Sequence, residues 1–359
     1  MGSRRAPITG RFTAEEVALA ARNRGMPLEA LRHDVTPAGL HYLLIHFDIP
    51  HVDEANWQLQ IHGLVNSTAT FSVDGLKALP AKTLRVTMEC AGNGRAQLSP
   101  RYPSVPWLEE GVSTAEWTGV PLCELVKPRE NATEIVFHGA DRGVDAGVEH
   151  HFARSLSVAD AMNGDVLVAY AMNGAPLPPQ HGAPLRLIVP RWYGMASVKW
   201  LRVIEAIDRP FEGIQQAHSY HFRRMPGEQG EPCRLMRVNS LMTPPGIPDF
   251  YTRRRIVEAG PIEIVGRAWS GAAPVERVEF GVNGHWSKAA VVTERHAHSW
   301  KLWRFTWTAS AGEHELACRA TDAAGNTQPL EPPWDLTGFG NNGVQRIQVT
   351  VRRVQSCRI

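Results

Sequence analysis

The stretch Val86-Thr-Met-Glu-Cys-Ala-Gly-Asn-Gly-Arg95 places a lone cysteine between a β-like run and a glycine-rich turn. A single cysteine at the end of a strand is most often a small buried apolar side chain. The neighbours of Cys90 instead favour a chemical role for its thiol group. Gly92 and Gly94 allow positive φ and a close approach of the backbone to a large ligand, and the charge of Arg95 favours thiolate over thiol. A thiolate serves as a nucleophile or as a soft ligand for a transition metal.

Cys90 has few partners nearby with which to hold a metal ion. The five cysteines of the chain are widely separated and form no CxxC pair, and no HExxH motif is present. The sequence therefore predicts neither a zinc site nor a disulfide framework. A metal on Cys90 would need its remaining ligands from an organic cofactor.

The run around Cys90 resembles the signature of the sulfite oxidase family of molybdenum enzymes, in which this cysteine binds molybdenum beside the dithiolene of one pyranopterin. Other segments resemble that family in the same order, from Thr36 to the C-terminus. They are PWLEEGVSTAEWTG at 106–119, AYAMNGAPLPPQHGAPLRLIVP at 169–190, SVKWL at 197–201 and AWSG at 268–271.

The resemblance implies a role for individual residues. Cys90 would be the metal ligand, and Tyr220 would be the active-site tyrosine. Arg95 and Trp107 match substrate-pocket positions, and Arg95 would hold substrate oxygens during catalysis. A further set falls where the family contacts the pterin and its phosphate, which favours charge-assisted donors. This set consists of His46, Asp141, His181, Arg186, Ser197 and Lys199.

Two positions depart from the cationic sulfite pocket of the family. Leu44 and Thr337 stand where the family has arginines. Each lost charge-assisted contact to a partly buried anion costs about 1.5–3 kcal/mol. Two explanations stay open. Arg191, in PRWYG, brings a guanidinium back into the substrate pocket and preserves sulfite chemistry, or the substrate carries less charge, as a sulfoxide, an N-oxide or an organic sulfur compound does.

The resemblance implies an oxidoreductase with a molybdenum–molybdopterin cofactor that transfers an oxygen atom, nominally oxidising sulfite to sulfate. The sequence contains no CxxCH haem-attachment motif. We therefore expect no haem, and electrons would pass to an external acceptor such as a cytochrome. One alternative is an S-oxide or N-oxide reductase that uses the same centre. Another is a non-catalytic dimeric binding module with a vestigial cofactor site.

Hydrophobic patterning predicts an α+β protein in three parts. Residues 1–35 would form an N-terminal extension with a helix over 13–32, and residues 36–232 would form the domain that the resemblance implies to be molybdopterin-binding and catalytic. Period-two strands then predict an immunoglobulin-like sandwich over 233–359. This last part resembles the dimerisation domain of the family, which implies a homodimer.

Two local signals support this division. Thr13 and Glu16 have the spacing of a helix capping box, followed by apolar Val17 at helical spacing. In the C-terminal part, Asn283-Gly284 is the favoured two-residue hairpin turn.

Composition excludes other classes of function. The 38 basic and 36 acidic residues leave a formal charge of +2, without a basic tract, so we expect no nucleic-acid partner. No window approaches the roughly 18 apolar residues of a membrane span. Arg4-Arg5 is not followed by an apolar signal region, which predicts a cytoplasmic protein, or a periplasmic one if an export leader was removed.

Overall fold

The computed structural model describes residues 8–145, 147–292 and 295–353 of the 359-residue chain. Arg4 and Arg5 lie outside the described residues. Four short α-helices are present in the described part of the chain: α1 Ala14–Arg22, α2 Val73–Lys77, α3 Leu122–Leu125 and α4 Val158–Ala161.

Strands make up most of the fold. Those in the first two thirds of the chain are β1 Gln58–Gly63, β2 Ala69–Ser72, β3 Lys82–Glu89, β4 Val112–Pro121, β5 Glu134–Asp145, β6 Val148–Ser157, β7 Leu167–Met172, β8 Ala175–Pro176, β9 Arg186–Ile188, β10 Leu201–Ile207, β11 His221–Phe222 and β12 Glu231–Pro232. The remainder are β13 Asn239–Met242, β14 Ile247–Pro248, β15 Arg255–Glu258, β16 Gly260–Trp269, β17 Val275–Val282, β18 His285–Lys288, β19 Ala290–Val291, β20 Lys301–Ala309, β21 Gly312–Asp322 and β22 Gln345–Arg352.

Two five-stranded sheets build the N-terminal part of the fold. One has the order β2-β1-β10-β5-β6, and the other has the order β3-β4-β7-β8 with β9 paired to β7. Four apolar runs of the sequence predict buried strands, namely LRVTMEC, EIVFHGA, DVLVAYAMNG and LRLIVP, and they correspond to β3, β5, β7 and β9. Strand β3 ends at Glu89, so the glycine-rich turn begins with Cys90 at the edge of this second sheet.

The C-terminal part is a β-sandwich, as the sequence predicts. A four-stranded sheet, β13-β16-β20-β19, packs on a six-stranded sheet, β14-β15-β22-β21-β17-β18. Trp303 and Trp307 alternate into the core between the sheets. Asn283 and Gly284 join β17 to β18 with φ of 50° and 82°, which confirms the predicted tight turn.

The N-terminal helix is shorter than predicted. Helix α1 ends at Arg22, and a short 3₁₀ turn over Leu28–Arg32 replaces the rest of the predicted span. The capping box between Thr13 and Glu16 is present. The face that α1 buries is polar, because Glu16 forms a buried ion pair with Arg101, while Val17 is exposed.

The two domains share a continuous apolar core. The core of the N-terminal part also contains side chains that follow residue 232, namely Cys233, Met236, Leu241, Trp269, Trp300 and Phe339. The sandwich therefore reaches the region beside the glycine-rich turn. No helix in the described part of the chain is long and apolar enough to cross a bilayer.

Candidate active site

Cys90 is held by backbone hydrogen bonds on both sides of the glycine-rich turn. Its N–H donates to the carbonyl of Gly111 at 2.8 Å, and its own carbonyl accepts from Asn93 at 3.0 Å. Gly94 has the predicted positive φ, 77°. The sequence-based expectation is that Gly92 allows the backbone to approach a ligand, but this glycine is required here for another reason. A Cβ at this position would lie 2.6 Å from the guanidinium of Arg95. Gly92 therefore makes room for Arg95.

The protonation of Cys90 differs from the sequence-based expectation. Burial raises the pKa of the Cys90 thiol, and the opposing charge of Arg95 does not outweigh it. Arg95 alone therefore does not make this cysteine a thiolate. A metal cation on the sulfur would supply the missing charge, since a coordinating thiol is deprotonated outright.

The C-terminal sandwich holds the turn in place through Glu89. One carboxylate oxygen accepts from the indole N–H of Trp269 at 2.9 Å, and the other accepts from the amides of Asn93 and Asn239 at 3.1 Å. The amide of Asn341 donates to the carbonyl of Gly94 at 2.8 Å. Burial raises the pKa of Glu89 to about 7. Both domains are therefore needed to shape the turn that carries Cys90.

A cavity of about 620 Å³, including open solvent at its mouth, lies beside Cys90. It brings together eight residues to which the resemblance assigned a role. They are His46, Cys90, Asp141, His181, Arg186, Ser197, Lys199 and Tyr220. Sequence reasoning missed His41, Tyr42 and Met88, which line the same cavity. Met88 is in the signature run itself, whereas no motif marks His41 or Tyr42.

One end of the cavity is built around Arg186. Its Nη1 donates to the carbonyl of His181 at 2.9 Å, and its Nη2 donates to the carbonyl of Ser197 at 3.2 Å. The guanidinium lies 4.6 Å from the ring centroid of Trp117. Burial lowers the pKa of Arg186 to about 10, so the guanidinium stays cationic at neutral pH.

Lys199 and Asp141 form the polar side of the same cavity. The Lys199 ammonium donates to the carbonyls of Leu44 at 2.8 Å and Gln180 at 3.2 Å. Burial lowers the pKa of Lys199 and raises that of Asp141, each to about 7. The charge of Asp141 raises the pKa of Lys199, and the charge of Lys199 lowers the pKa of Asp141. Each effect partly opposes the shift caused by burial, because a neighbouring opposite charge favours the charged form.

Unpaired polar atoms show that this cavity suits a polar ligand. Asp141 Oδ1, His181 Nε2 and Arg186 Nε are buried without a hydrogen-bond partner in the described part of the protein. Leaving such groups unsatisfied costs about 1–3 kcal/mol each. A cation and unpaired donors fit a phosphate, and the mixed donors and acceptors fit a polar heterocycle. The residues therefore fit a pyranopterin cofactor, with the Cys90 sulfur in the same cavity.

Tyr220 lies between the cofactor cavity and a second, wider opening. Its hydroxyl is 2.5 Å from Nε2 of His46. Its ring stacks on Phe339 at 5.1 Å, and the guanidinium of Arg154 lies 5.4 Å from the ring centroid. A π-helical turn over Gln215–Ser219 precedes Tyr220 and sets its position.

Shifts in pKa favour the neutral forms of both Tyr220 and His46. Burial raises the pKa of Tyr220 well above its ordinary value. The pKa of His46 falls to about 3, first through burial and then through the charges of Lys199, Arg154 and Arg95. The side chain of His46 has solvent-accessible surface. It lines both the cavity and the funnel, so this surface is on the side of the site. The pair can therefore share a hydrogen bond without carrying charge.

The wider opening is a funnel of about 1960 Å³, including open solvent at its mouth. It shares Leu44, His46, Cys90 and Tyr220 with the cofactor cavity. The predicted substrate residues Arg95 and Trp107 line the funnel, and so do Thr337 and Phe339. Both positions that lack the family arginines therefore face this space.

Arg191 does not belong to the site. It lines neither cavity, and its guanidinium donates to the carbonyls of Gly271 at 2.7 Å and Ala272 at 2.8 Å. The structure therefore does not bring Arg191 together with the other predicted substrate residues, because its side chain bonds to a loop of the sandwich. Sequence reasoning missed Arg223, which does line the funnel. Its place three residues after Tyr220 was the available signal.

In residues 8–145, 147–292 and 295–353, no group of three or more His, Cys, Asp or Glu side chains could hold a metal ion. A metal bound by Cys90 would therefore take its other ligands from a cofactor, in line with the donor set of the cavity.

Comparison with known proteins finds two family models that match this chain. The family model "Oxidoreductase molybdopterin binding domain" matches residues 46–215. The model "Mo-co oxidoreductase dimerisation domain" matches residues 232–352. The crystal structure of the sulfane dehydrogenase SoxCD from Paracoccus pantotrophus superposes with a TM-score of 0.78 at 26% identity, over 91% of this chain and 84% of that chain.

Curated relatives include two kinds of enzyme. Mitochondrial sulfite oxidase from Homo sapiens is 30% identical over 92% of this chain. Nitrate reductase [NADH] 1 from Arabidopsis thaliana is also 30% identical over 92% of this chain. The chain spans 64% of the length of the former and 40% of the latter. The chain belongs to the sulfite oxidase family of molybdenum-cofactor oxidoreductases.

Proposed function

We propose that this protein transfers an oxygen atom between water and a sulfur-centred substrate. The nominal reaction is oxidation of sulfite, SO₃²⁻ + H₂O → SO₄²⁻ + 2H⁺ + 2e⁻, with an external carrier as electron acceptor. One observation supports it above all. Cys90, His46 and Tyr220 lie where the cofactor cavity meets the funnel, so a metal on the cysteine would face the substrate.

The chain would hold the cofactor through the residues of the cavity. A bound molybdenum–pyranopterin group supplies two-electron oxygen-atom chemistry, and the protein contributes position and electrostatics. Cys90 would be the metal ligand of the protein. Arg186 and Lys199 would hold the anionic phosphate, because a cationic donor to a phosphate makes a strong hydrogen bond. His181, Ser197 and Asp141 would bind the polar parts of the pterin.

The residues between cavity and funnel would orient the substrate. Arg95 would bind an anionic oxygen, since burial lowers its pKa yet a guanidinium stays charged at neutral pH. Tyr220 is protonated and can donate its O–H, while neutral His46 fixes the direction of that hydroxyl. Trp107 and Phe339 line the funnel side of the site and would pack against the substrate.

Similarity to nitrate reductases supports a second candidate activity. The same site would remove an oxygen atom from an S-oxide or N-oxide, in the reverse direction. The neutral side chains of Leu44 and Thr337 suit an uncharged oxide. A non-catalytic binding module has less support, because the unpaired polar atoms at Asp141 and Arg186 still suit a cofactor.

Steady-state turnover tests the proposed function. Protein with verified molybdenum and pterin content would be assayed with sulfite and ferricyanide. We expect molybdenum-dependent reduction of ferricyanide. A fully loaded protein that oxidises no sulfur compound but reduces a sulfoxide or an N-oxide would favour the second candidate. Loaded protein without any turnover would favour the binding module.

We also propose that the protein is a homodimer formed through the C-terminal sandwich. The match to the dimerisation-domain model supports this assembly. Sedimentation at micromolar concentration should give twice the 39.7 kDa mass of the chain. A single species with the mass of one chain would contradict the proposal.

A further inference from the structure

We propose that the funnel takes an organic sulfinate, R–SO₂⁻, a sulfur oxyanion with one negative charge and one apolar substituent. This inference rests on the proposed oxygen transfer to sulfur and narrows its substrate class. A sulfinate is sulfite with one oxygen replaced by carbon. Three features of the funnel favour a sulfinate over sulfite. They are its low positive charge, the hydrogen bonds that its arginines already make and its apolar walls.

The funnel presents little positive charge to a dianion. Leu44 has no polar side-chain atom, and the Thr337 hydroxyl is already engaged, because it donates to Asp335 Oδ1 at 2.8 Å. Arg191 bonds to the sandwich and lines neither cavity. Leu44 and Thr337, which stand where the family has arginines, are thus neutral. Arg191 does not replace the missing charge.

The arginines that do line the funnel are largely committed to the protein. Arg95 Nε donates to the carbonyl of Thr337 at 2.8 Å, and its Nη1 lies 3.4 Å from the carbonyl of Val105. Its guanidinium also lies 5.2 Å from the ring centroid of Phe339. Arg223 donates through Nε and Nη2 to the carbonyls of Glu228 and His218. Arg95 therefore suits a substrate that presents one anionic group better than a sulfite ion, which presents three oxygens.

The walls of the funnel provide an apolar surface for a substituent. The apolar and aromatic lining residues include Leu44, Phe47, Val105, Trp107, Ile214 and Phe339. A typical pocket of about 300–1000 Å³ encloses a drug-sized ligand. The comparable volume of the funnel, about 700 Å³, falls within this range and is far larger than a sulfite ion requires. Burial of an aryl or alkyl group against these walls would add to its affinity.

The chemistry of a sulfinate matches that of sulfite at the sulfur atom. The reaction is R–SO₂⁻ + H₂O → R–SO₃⁻ + 2H⁺ + 2e⁻. One S–O bond forms with the sulfur lone pair, both O–H bonds of water break, and sulfur loses two electrons. The external one-electron acceptor takes them in two steps, and ferricyanide takes that place in the assay.

Binding of unreactive products tests the inference without turnover. Isothermal titration calorimetry of the holoenzyme would compare benzenesulfonate with sulfate, because neither is oxidised further. We expect a dissociation constant for benzenesulfonate at least about tenfold lower than that for sulfate. Equal affinities, or tighter binding of sulfate, would overturn the inference.

Charge-restoring variants sharpen this comparison. Leu44→Arg should reverse the preference toward sulfate, and Thr337→Arg is a second variant in case the first does not fold. Ile247→Arg adds the same charge on an exposed part of the sandwich and should leave both affinities unchanged. If the exposed variant strengthened sulfate binding as much as Leu44→Arg, net charge rather than the funnel would set the preference.

Turnover separates this inference from the proposed function. A kcat/KM for benzenesulfinate above that for sulfite would support both. Oxidation of sulfite with a higher kcat/KM than benzenesulfinate would overturn the inference and leave the proposed function intact. Preferential binding of benzenesulfonate without oxidation of either substrate would overturn the proposed function.

Discussion

The cofactor cavity and the substrate funnel meet at Cys90, yet they differ in how far their polar groups are already hydrogen-bonded to the protein. The cavity keeps polar atoms unpaired, including Arg186 Nε and Asp141 Oδ1. In the funnel, Arg95 already bonds to backbone carbonyls, and Leu44 is apolar. Unpaired buried groups specify a polar ligand strongly, because they are costly until the ligand binds. We therefore expect the cavity, which has several such atoms, to be more selective for its ligand than the funnel, where Trp107 Nε1 is also unpaired among the described residues.

Removal of the sulfur should give the largest effect on this pair of sites. We expect Cys90→Ser to abolish turnover, because a hydroxyl stays protonated and is a harder ligand than a thiolate. Turnover with ferricyanide and the charge-transfer absorption of a thiolate-bound metal would measure the loss. A variant with normal absorption and turnover would show that Cys90 is not the metal ligand.

The next effect should come from the phosphate end of the cavity. Arg186→Ala removes a buried cation, so we expect the molybdenum and pterin content of purified protein to fall by about tenfold or more. Arg186→Lys should recover part of it. Arg202, whose exposed side chain lies over Trp57, offers a control through Arg202→Ala. Full occupancy in Arg186→Ala would contradict the assignment of this end to the phosphate.

Tyr220 tests the place where the two cavities meet. Tyr220→Phe removes the hydroxyl that bonds to His46 and keeps the ring that stacks on Phe339. We expect kcat to fall by about tenfold to a hundredfold, with cofactor content unchanged. The kcat and KM of the variant, with metal analysis, would measure this. A loss confined to cofactor content would instead assign Tyr220 to the cavity alone.

The sandwich supports both sites through Glu89. Trp269→Phe removes the N–H that donates to the Glu89 carboxylate, so we expect a loss of about 1–3 kcal/mol in the free energy of unfolding. Urea denaturation would measure it. Trp286→Phe, at a half-buried position beneath Arg319, provides the control. Equal destabilisation by the two changes would mean that the bond to Glu89 adds nothing.

Arg191 should give the smallest effect. Because its guanidinium bonds to Gly271 and Ala272, we expect Arg191→Ala to change the KM for substrate by less than about twofold. Steady-state kinetics at several sulfite concentrations would check this. A large rise in KM would restore the sequence-based assignment of Arg191 to the substrate pocket.

Much of the cofactor cavity could be predicted from the sequence, because its residues belong to local motifs. The cysteine follows directly from strand β3, and His181 and Arg186 lie in one short segment. Motif matching assigned them to one site, and the fold brings them together around one cavity. The apolar alternation of the tail likewise predicted the sandwich.

Contacts between distant parts of the chain could not be predicted in this way. Glu89 bonds to Asn239 and Trp269, which lie 150 and 180 residues further along the chain. The direction of Arg191 and the presence of Arg223 in the funnel also depend on how the two domains pack.

The sequence by itself determined the cysteine turn, the cofactor-binding residue types and the sandwich, because each is encoded within a short segment. Only the tertiary structure decided which arginines line the funnel, how Gly92 accommodates Arg95 and how the sandwich supports the turn that carries Cys90. A side chain bonds to whatever the fold places within about 3 Å, and sequence spacing does not report that distance.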